Sequence, residues 1–88
     1  MDLKSLRSEI DEIDSELIRL FTKRMEICKR VALYKKENGL PVLDSSREAF
    51  LLAKASALAG EDMESSTALL FERILELSRK EQESIINR

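Results

Sequence analysis

With 88 residues, 43% hydrophobic and 36% charged side chains, two Gly, one Pro and 5% aromatics, the chain has the make-up of one helical bundle and not of a sandwich, a barrel or a disordered segment. A single chain of this size buries only a limited core, so a partner is expected to complete it. The net charge of −2, with basic residues interleaved among acidic ones, argues against a nucleic-acid-binding face, and one Cys with no His removes an internal disulfide, a zinc site and His-based acid–base catalysis.

From residue 2 to residue 38 there is neither Gly nor Pro, and apolar residues recur with a seven-residue period. Leu3, Leu6, Ile10, Ile13, Leu17 and Leu20 fill alternating a and d positions, and Ile27, Val31 and Tyr34 resume them. The pattern predicts a first helix over 3–38, ~50 Å long at 1.5 Å per residue. A globule of this chain length has a diameter of only ~30 Å. The helix therefore overshoots its own domain, and a second chain is expected to cover the projecting half. Asn38-Gly39-Leu40-Pro41 stops the helix, with Gly beyond its C-terminus and Pro after that.

Ser45-Ser46-Arg47-Glu48 has the Ser-x-x-Glu spacing of a capping box, so a second helix is expected over 46–59, with Ser45 and Glu48 capping it and Phe50, Leu51 and Leu58 buried among Ala. Gly60 ends it, and Asp62 is placed to cap a third helix over 63–86. Leu70, Phe71, Ile74, Leu77 and Ile85 form the apolar face of this last helix, and Ser78 and Gln82 share part of it. All three helices belong to one domain, residues 1–88. No stretch reaches the roughly 18 apolar residues of a membrane span, and the opening MDLKSLRSEIDE is too charged for a signal peptide. A cytoplasmic protein without membrane contact is expected.

The polar interruptions of these seams carry the chemistry. Position 24 calls for an apolar residue and holds Arg. Alone, such a cation commonly does no more than fix register, its head reaching water. Lys35, however, lies eleven residues on, which returns it to within ~20° of Arg24 at ~16 Å along the axis, near enough for both to approach one small anion. Arg7 also flanks the seam but lies ~25 Å from Arg24. In an antiparallel pair of first helices with a two-fold axis near residue 18, the partner's Arg7 falls opposite the interval between Arg24 and Lys35. Asp44 and Glu48 read equally as caps or as functional carboxylates, Arg47 as a surface charge or a ligand contact, and Ser78 with Gln82 as a mutually satisfied core pair or as donors. Together they describe a cationic pocket for a small dianion bearing a hydroxyl. With no nucleophile beside a base, no phosphate loop and no metal cluster, its reaction would run on positioning and electrostatics.

In order, Arg7, Arg24, Lys35, the run Pro41-Val42-Leu43-Asp44-Ser45-Ser46-Arg47-Glu48, then Ser78 and Gln82 resemble the all-helical class of chorismate mutases over almost the whole chain. Two departures stand out: Leu43 replaces a basic residue found before the Asp in some relatives, and Cys28 is no motif residue and reads as packing. The resemblance implies an intertwined antiparallel homodimer of three-helix chains and the Claisen rearrangement of chorismate to prephenate, on the route to phenylalanine and tyrosine, without cofactor or metal. It implies that Arg24 and the partner's Arg7 bind the substrate carboxylates and that Lys35 and Gln82 hydrogen-bond the ether oxygen. Glu48, with the backbone around Asp44, would hold the ring hydroxyl, and Arg47 and Ser78 would complete the contacts. Arg24, Lys35, Glu48 and Gln82 would thus be the catalytic set. Two other readings stand beside it, an isochorismate-pyruvate lyase of the same fold and a non-catalytic helical dimer. No dehydratase, dehydrogenase or synthase domain accompanies the motif, so a monofunctional chain is expected, the mutase domain of a bifunctional enzyme being the other form.

Overall fold

The computed structural model describes residues 1–88. Helix α1 spans Leu3–Asn38. It starts where the Asp2 carboxylate accepts the Ser5 amide at 2.8 Å, and it stops at Gly39, whose φ of 63° is a left-handed conformation that costs Gly little. The Leu40 amide then turns back to the Lys35 carbonyl at 2.9 Å. The longest dimension of the molecule, 54 Å, matches 36 helical residues at ~1.5 Å each, so α1 runs its whole length without doubling back.

Helix α2 spans Ser45–Ala59 and α3 spans Glu64–Ile86, and no strand is present. The capping of both differs from the sequence expectation. Asp44, not Ser45, caps α2, its carboxylate accepting the Arg47 amide and the Ser46 hydroxyl, each at 3.0 Å. A carboxylate one position earlier reaches the third amide of the helix, which leaves Ser45 as the first helical residue. Glu48 does not reach back to complete a capping box, because a cation from α3 holds it. Asp62 does not cap α3 either. It lies inside a turn closed by the Met63 amide on the Gly60 carbonyl, and the position before α3 is Met63, which makes no side-chain cap bond.

α3 is the middle element: it packs against both α1 and α2, whose backbones do not approach each other closely. The result is an open, elongated arrangement of helices, 54 by 26 by 14 Å in Cα extents. Little of it is interior. Only Ala32, Ala55, Leu75, Ser78, Gln82 and Ile85 are buried, four of them on α3. The α2 expectation is corrected accordingly, since Ala55 is the buried residue while Phe50 and Leu58 are exposed. On α3, Leu70 is likewise exposed and Leu75 takes the core position.

The N-terminal half of α1 stands clear of the other helices. Every residue from 1 to 23 is exposed, and the six seam residues from Leu3 to Leu20 are each 39–60% accessible. The radius of gyration is accordingly 16.1 Å, where ~12 Å is usual for this length. Covering those six side chains would contribute ~1.5 kcal/mol each, ~9 kcal/mol in sum, as much as the whole stability of an ordinary domain of this size. Leu75, by contrast, is 5% exposed and sits where α3 meets its neighbours. Leu75→Ala is therefore expected to lower stability by ~3 kcal/mol, read as a fall in urea midpoint at unchanged slope; a loss below ~1 kcal/mol would mean that this contact is not the core.

Candidate active site

Because the backbones of α1 and α2 stay apart, α3 forms the floor of a groove between them, and the groove is lined by one stripe from each helix. α1 supplies Arg24, Ile27, Cys28, Val31 and Lys35, α2 with its cap supplies Asp44, Arg47, Glu48 and Leu51, and α3 supplies Leu75, Ser78, Arg79 and Gln82. The three stripes share the i, i+3, i+4, i+7 spacing of a single helix face. Val42, in the connection between α1 and α2, completes a cleft of about 290 Å³.

A continuous polar chain crosses this cleft. The Lys35 ammonium donates to the Val42 carbonyl at 2.7 Å and to Gln82 Oε1 at 2.8 Å. Gln82 Nε2 donates to Ser78 Oγ at 3.2 Å, Ser78 Oγ is 2.9 Å from Cys28 Sγ, and Arg24 Nη1 lies 3.7 Å from the same sulfur. Ser78 and Gln82 are buried, yet no buried side-chain nitrogen or oxygen lacks a partner. The cost of withdrawing amide and hydroxyl from water is met inside the chain. The chain also leaves donors over. An ammonium has three N–H bonds and a primary amide two, so Lys35 and Gln82 each retain one.

The charges are uneven. Four cations, Arg24, Lys35, Arg47 and Arg79, face two carboxylates, Asp44 and Glu48, in the lining. Both carboxylates are already engaged, Asp44 as the α2 cap and Glu48 with Arg79 at 2.5 Å. Arg24 has only the weak sulfur contact, and the Arg47 guanidinium lies 5.4 Å over the Phe50 ring, a cation–π contact that fixes it without cancelling its charge. Two free guanidiniums and a Lys in a half-enclosed apolar cleft make a site for a small anion of charge about −2.

Of the residues singled out in the sequence, seven line this one cleft: Arg24, Lys35, Asp44, Arg47, Glu48, Ser78 and Gln82. Arg7 does not; it lies on the bare half of α1, exposed and ~25 Å from Arg24 along the axis. Three participants escaped the sequence reading. Arg79 pairs with a carboxylate 31 residues away, Cys28 links Arg24 to Ser78 instead of merely packing, and Val42 acts through a backbone carbonyl. Helical spacing from Leu75 and Gln82 would have placed Arg79 on the lining face; nothing in the sequence marks a carbonyl.

The Asp44 carboxyl is held below the ordinary Asp value of 3.8, chiefly by the Arg47 amide and then by the Ser46 hydroxyl; burial opposes them, and the charges of Lys35 and Arg47 add weaker support. A carboxyl depressed in the folded state stabilises fully above its unfolded value and loses that contribution as pH falls through the folded one. The thermal midpoint of the native chain should therefore exceed that of Asp44→Ala by a constant margin at pH 5–7, and the margin should shrink below pH ~4. A margin independent of pH down to 2.5 would remove the charged cap.

Comparison with known proteins agrees with this arrangement. Residues 6–83 match the family model described as chorismate mutase type II. The chain is 34% identical over 89 residues to the bifunctional chorismate mutase/prephenate dehydratase of Buchnera aphidicola subsp. Schizaphis graminum, covering 99% of this chain and 23% of that one. It is 50% identical over 50 residues to the T-protein of Haemophilus influenzae, covering 57% of this chain and 13% of that one. It is 34% identical over 59 residues to the chorismate mutase of Methanocaldococcus jannaschii, covering 67% of this chain and 60% of that one. The chain thus spans less than a quarter of the length of the first two relatives. No solved structure gives a significant match.

Proposed function

Since this chain belongs to the chorismate mutase type II family, we propose that it converts chorismate to prephenate in the cleft between α1 and α2, as one half of an antiparallel homodimer whose second chain supplies Arg7. The observation that carries this reading is the Lys35–Gln82 bond, 2.8 Å long, set between unpaired cations. The rearrangement breaks a C–O bond and forms a C–C bond in one step, with no proton transferred. Its transition state lengthens the ether bond and gathers negative charge on that oxygen. The spare N–H of Lys35 and the spare N–H of Gln82 are the donors for it. The Lys35 cation also polarises the Gln82 amide through Oε1, which makes the remaining Nε2–H a better donor. Each such donor contributes ~3 kcal/mol, about a hundredfold in rate, because it strengthens as the charge develops.

Arg24 and the partner's Arg7 bind the two carboxylates and hold the flexible enolpyruvyl arm over the ring, so that the reacting carbons stay in contact. Together with two donors, this restraint accounts for about a millionfold acceleration. Glu48 accepts the ring hydroxyl, and Ile27, Val31, Leu51 and Leu75 supply the apolar walls. Support for the dimer comes from the bare seam of α1, whose coverage is worth as much as a domain's stability, and from the position of Arg7 on that same seam. Two copies related by an axis near residue 18 cover both seams and close both clefts.

Ultraviolet measurement of chorismate loss at micromolar protein, with the product identified as prephenate, is the direct test; no consumption of chorismate, or pyruvate release from isochorismate instead, would overturn the reading. Gln82→Ala is expected to lower kcat about a hundredfold while KM changes by less than threefold. The shared site has its own test. Arg7→Ala and Arg24→Ala should each be nearly inactive, and refolding them together should restore about a quarter of native activity, because half the dimers are mixed and each mixed dimer has one intact site. Mixed dimers without activity would refute the shared site.

A further inference from the structure

The pairing of Glu48 with Arg79 does something that neither the cap nor the rearrangement requires. Arg79 Nη1 reaches Glu48 Oε1 at 2.5 Å, and the two side chains are 31% and 22% accessible, both on the cleft lining. The contact takes one carboxylate oxygen and leaves Oε2. A lone carboxylate at this point would attract any donor and a cation most of all. A paired one keeps its acceptor lone pairs but presents almost no net charge.

Resting on the reading of Glu48 as acceptor for the ring hydroxyl, we infer that Arg79 is the specificity-determining residue of that subsite: it cancels the carboxylate's charge, so that the subsite takes a neutral hydroxyl and rejects an ammonium at the same ring position. A hydroxyl bonding to Oε2 loses little by the pairing, since a hydrogen bond to an acceptor is short-ranged and directional. An alkylammonium, the form of an amine near neutral pH, must shed far more hydration than a hydroxyl to enter, and with its attraction to Glu48 offset by repulsion from Arg79 that cost goes uncompensated. Unit charges ~6 Å apart in a partly screened cleft change an affinity roughly tenfold or more. Arg47, unpaired on the same lining, adds to the repulsion. Arg79 acts through charge and through Glu48, and is assigned no contact with the reacting atoms.

The test compares kcat/KM for chorismate with kcat/KM for the analogue that carries an amine in place of the ring hydroxyl. In the native protein the amine should be at least tenfold the poorer substrate, a result that needs no variant. Arg79→Gln and Arg79→Met, confirmed as folded by circular dichroism, should shift the ratio at least tenfold toward the amine. Arg79→Lys, which keeps the charge, should stay within threefold of native. An amine turned over natively as well as chorismate overturns the inference, as does an unmoved ratio in the neutral variants or a Lys variant that shifts as far as Gln. Native protein inactive on chorismate would instead strike the proposed function itself, so the two failures are distinct.

Discussion

One ammonium group fixes the geometry on which the rest depends. Lys35 sits in the last turn of α1 and holds, at one atom, the carbonyl of Val42 and the amide of Gln82. The first bond fastens the connection to α1 and so sets where α2 begins, and with it the positions of Asp44, Arg47 and Glu48. The second fastens α3 to α1 beneath the cleft. Three helices are thereby indexed to each other by a point charge near one end of the polar chain, around an apolar core, Ala32, Ala55, Leu75 and Ile85, that is too small to index them by packing.

The same geometry explains why the fold is weak by itself. Two of the six buried residues, Ser78 and Gln82, are polar, placed where a bundle of this size would profit most from Leu or Ile. Their hydrogen bonds offset the cost of burial but contribute little beyond that. α1 and α2 are kept apart so that a cleft exists, which forfeits the third helix–helix contact that a closed bundle would have. Stability given up at the cleft has an obvious counterpart in the seam of α1, apolar, uncovered and ~9 kcal/mol in potential.

Much of this was legible in the sequence because it is local or periodic. The absence of Gly and Pro before Gly39 marks the length of α1, the seven-residue period marks its seam, and the interruption at Arg24 marks where the seam becomes a cleft wall. Ser78 and Gln82 stand out because they break an apolar face. The errors come from competition. Ser45 and Asp44 are both good caps, and Asp44 won because its carboxylate reaches the Arg47 amide. Glu48 had a local partner by rule and took a distant one, Arg79, because helix packing brings a guanidinium to it. Cys28 looked like filler since sulfur packs as readily as it bonds. Pairings that span tens of residues depend on how helices cross, which periodicity within one helix does not encode.

α1 carries Arg7, the seam, Arg24 and Lys35 on one uninterrupted rod. Each residue of such a rod sets an advance of ~1.5 Å and a turn of ~100°. A single insertion between Leu6 and Arg24 would swing the whole N-terminal half by 100° and turn its apolar stripe away from the line of the cleft. A substitution along this helix therefore acts at its own position, whereas a change of length displaces everything beyond it. Seven residues, two near-complete turns, is the smallest common step that restores both seam and heading. The helix is a ruler as much as a scaffold, and its tick marks are the part of the sequence least free to drift.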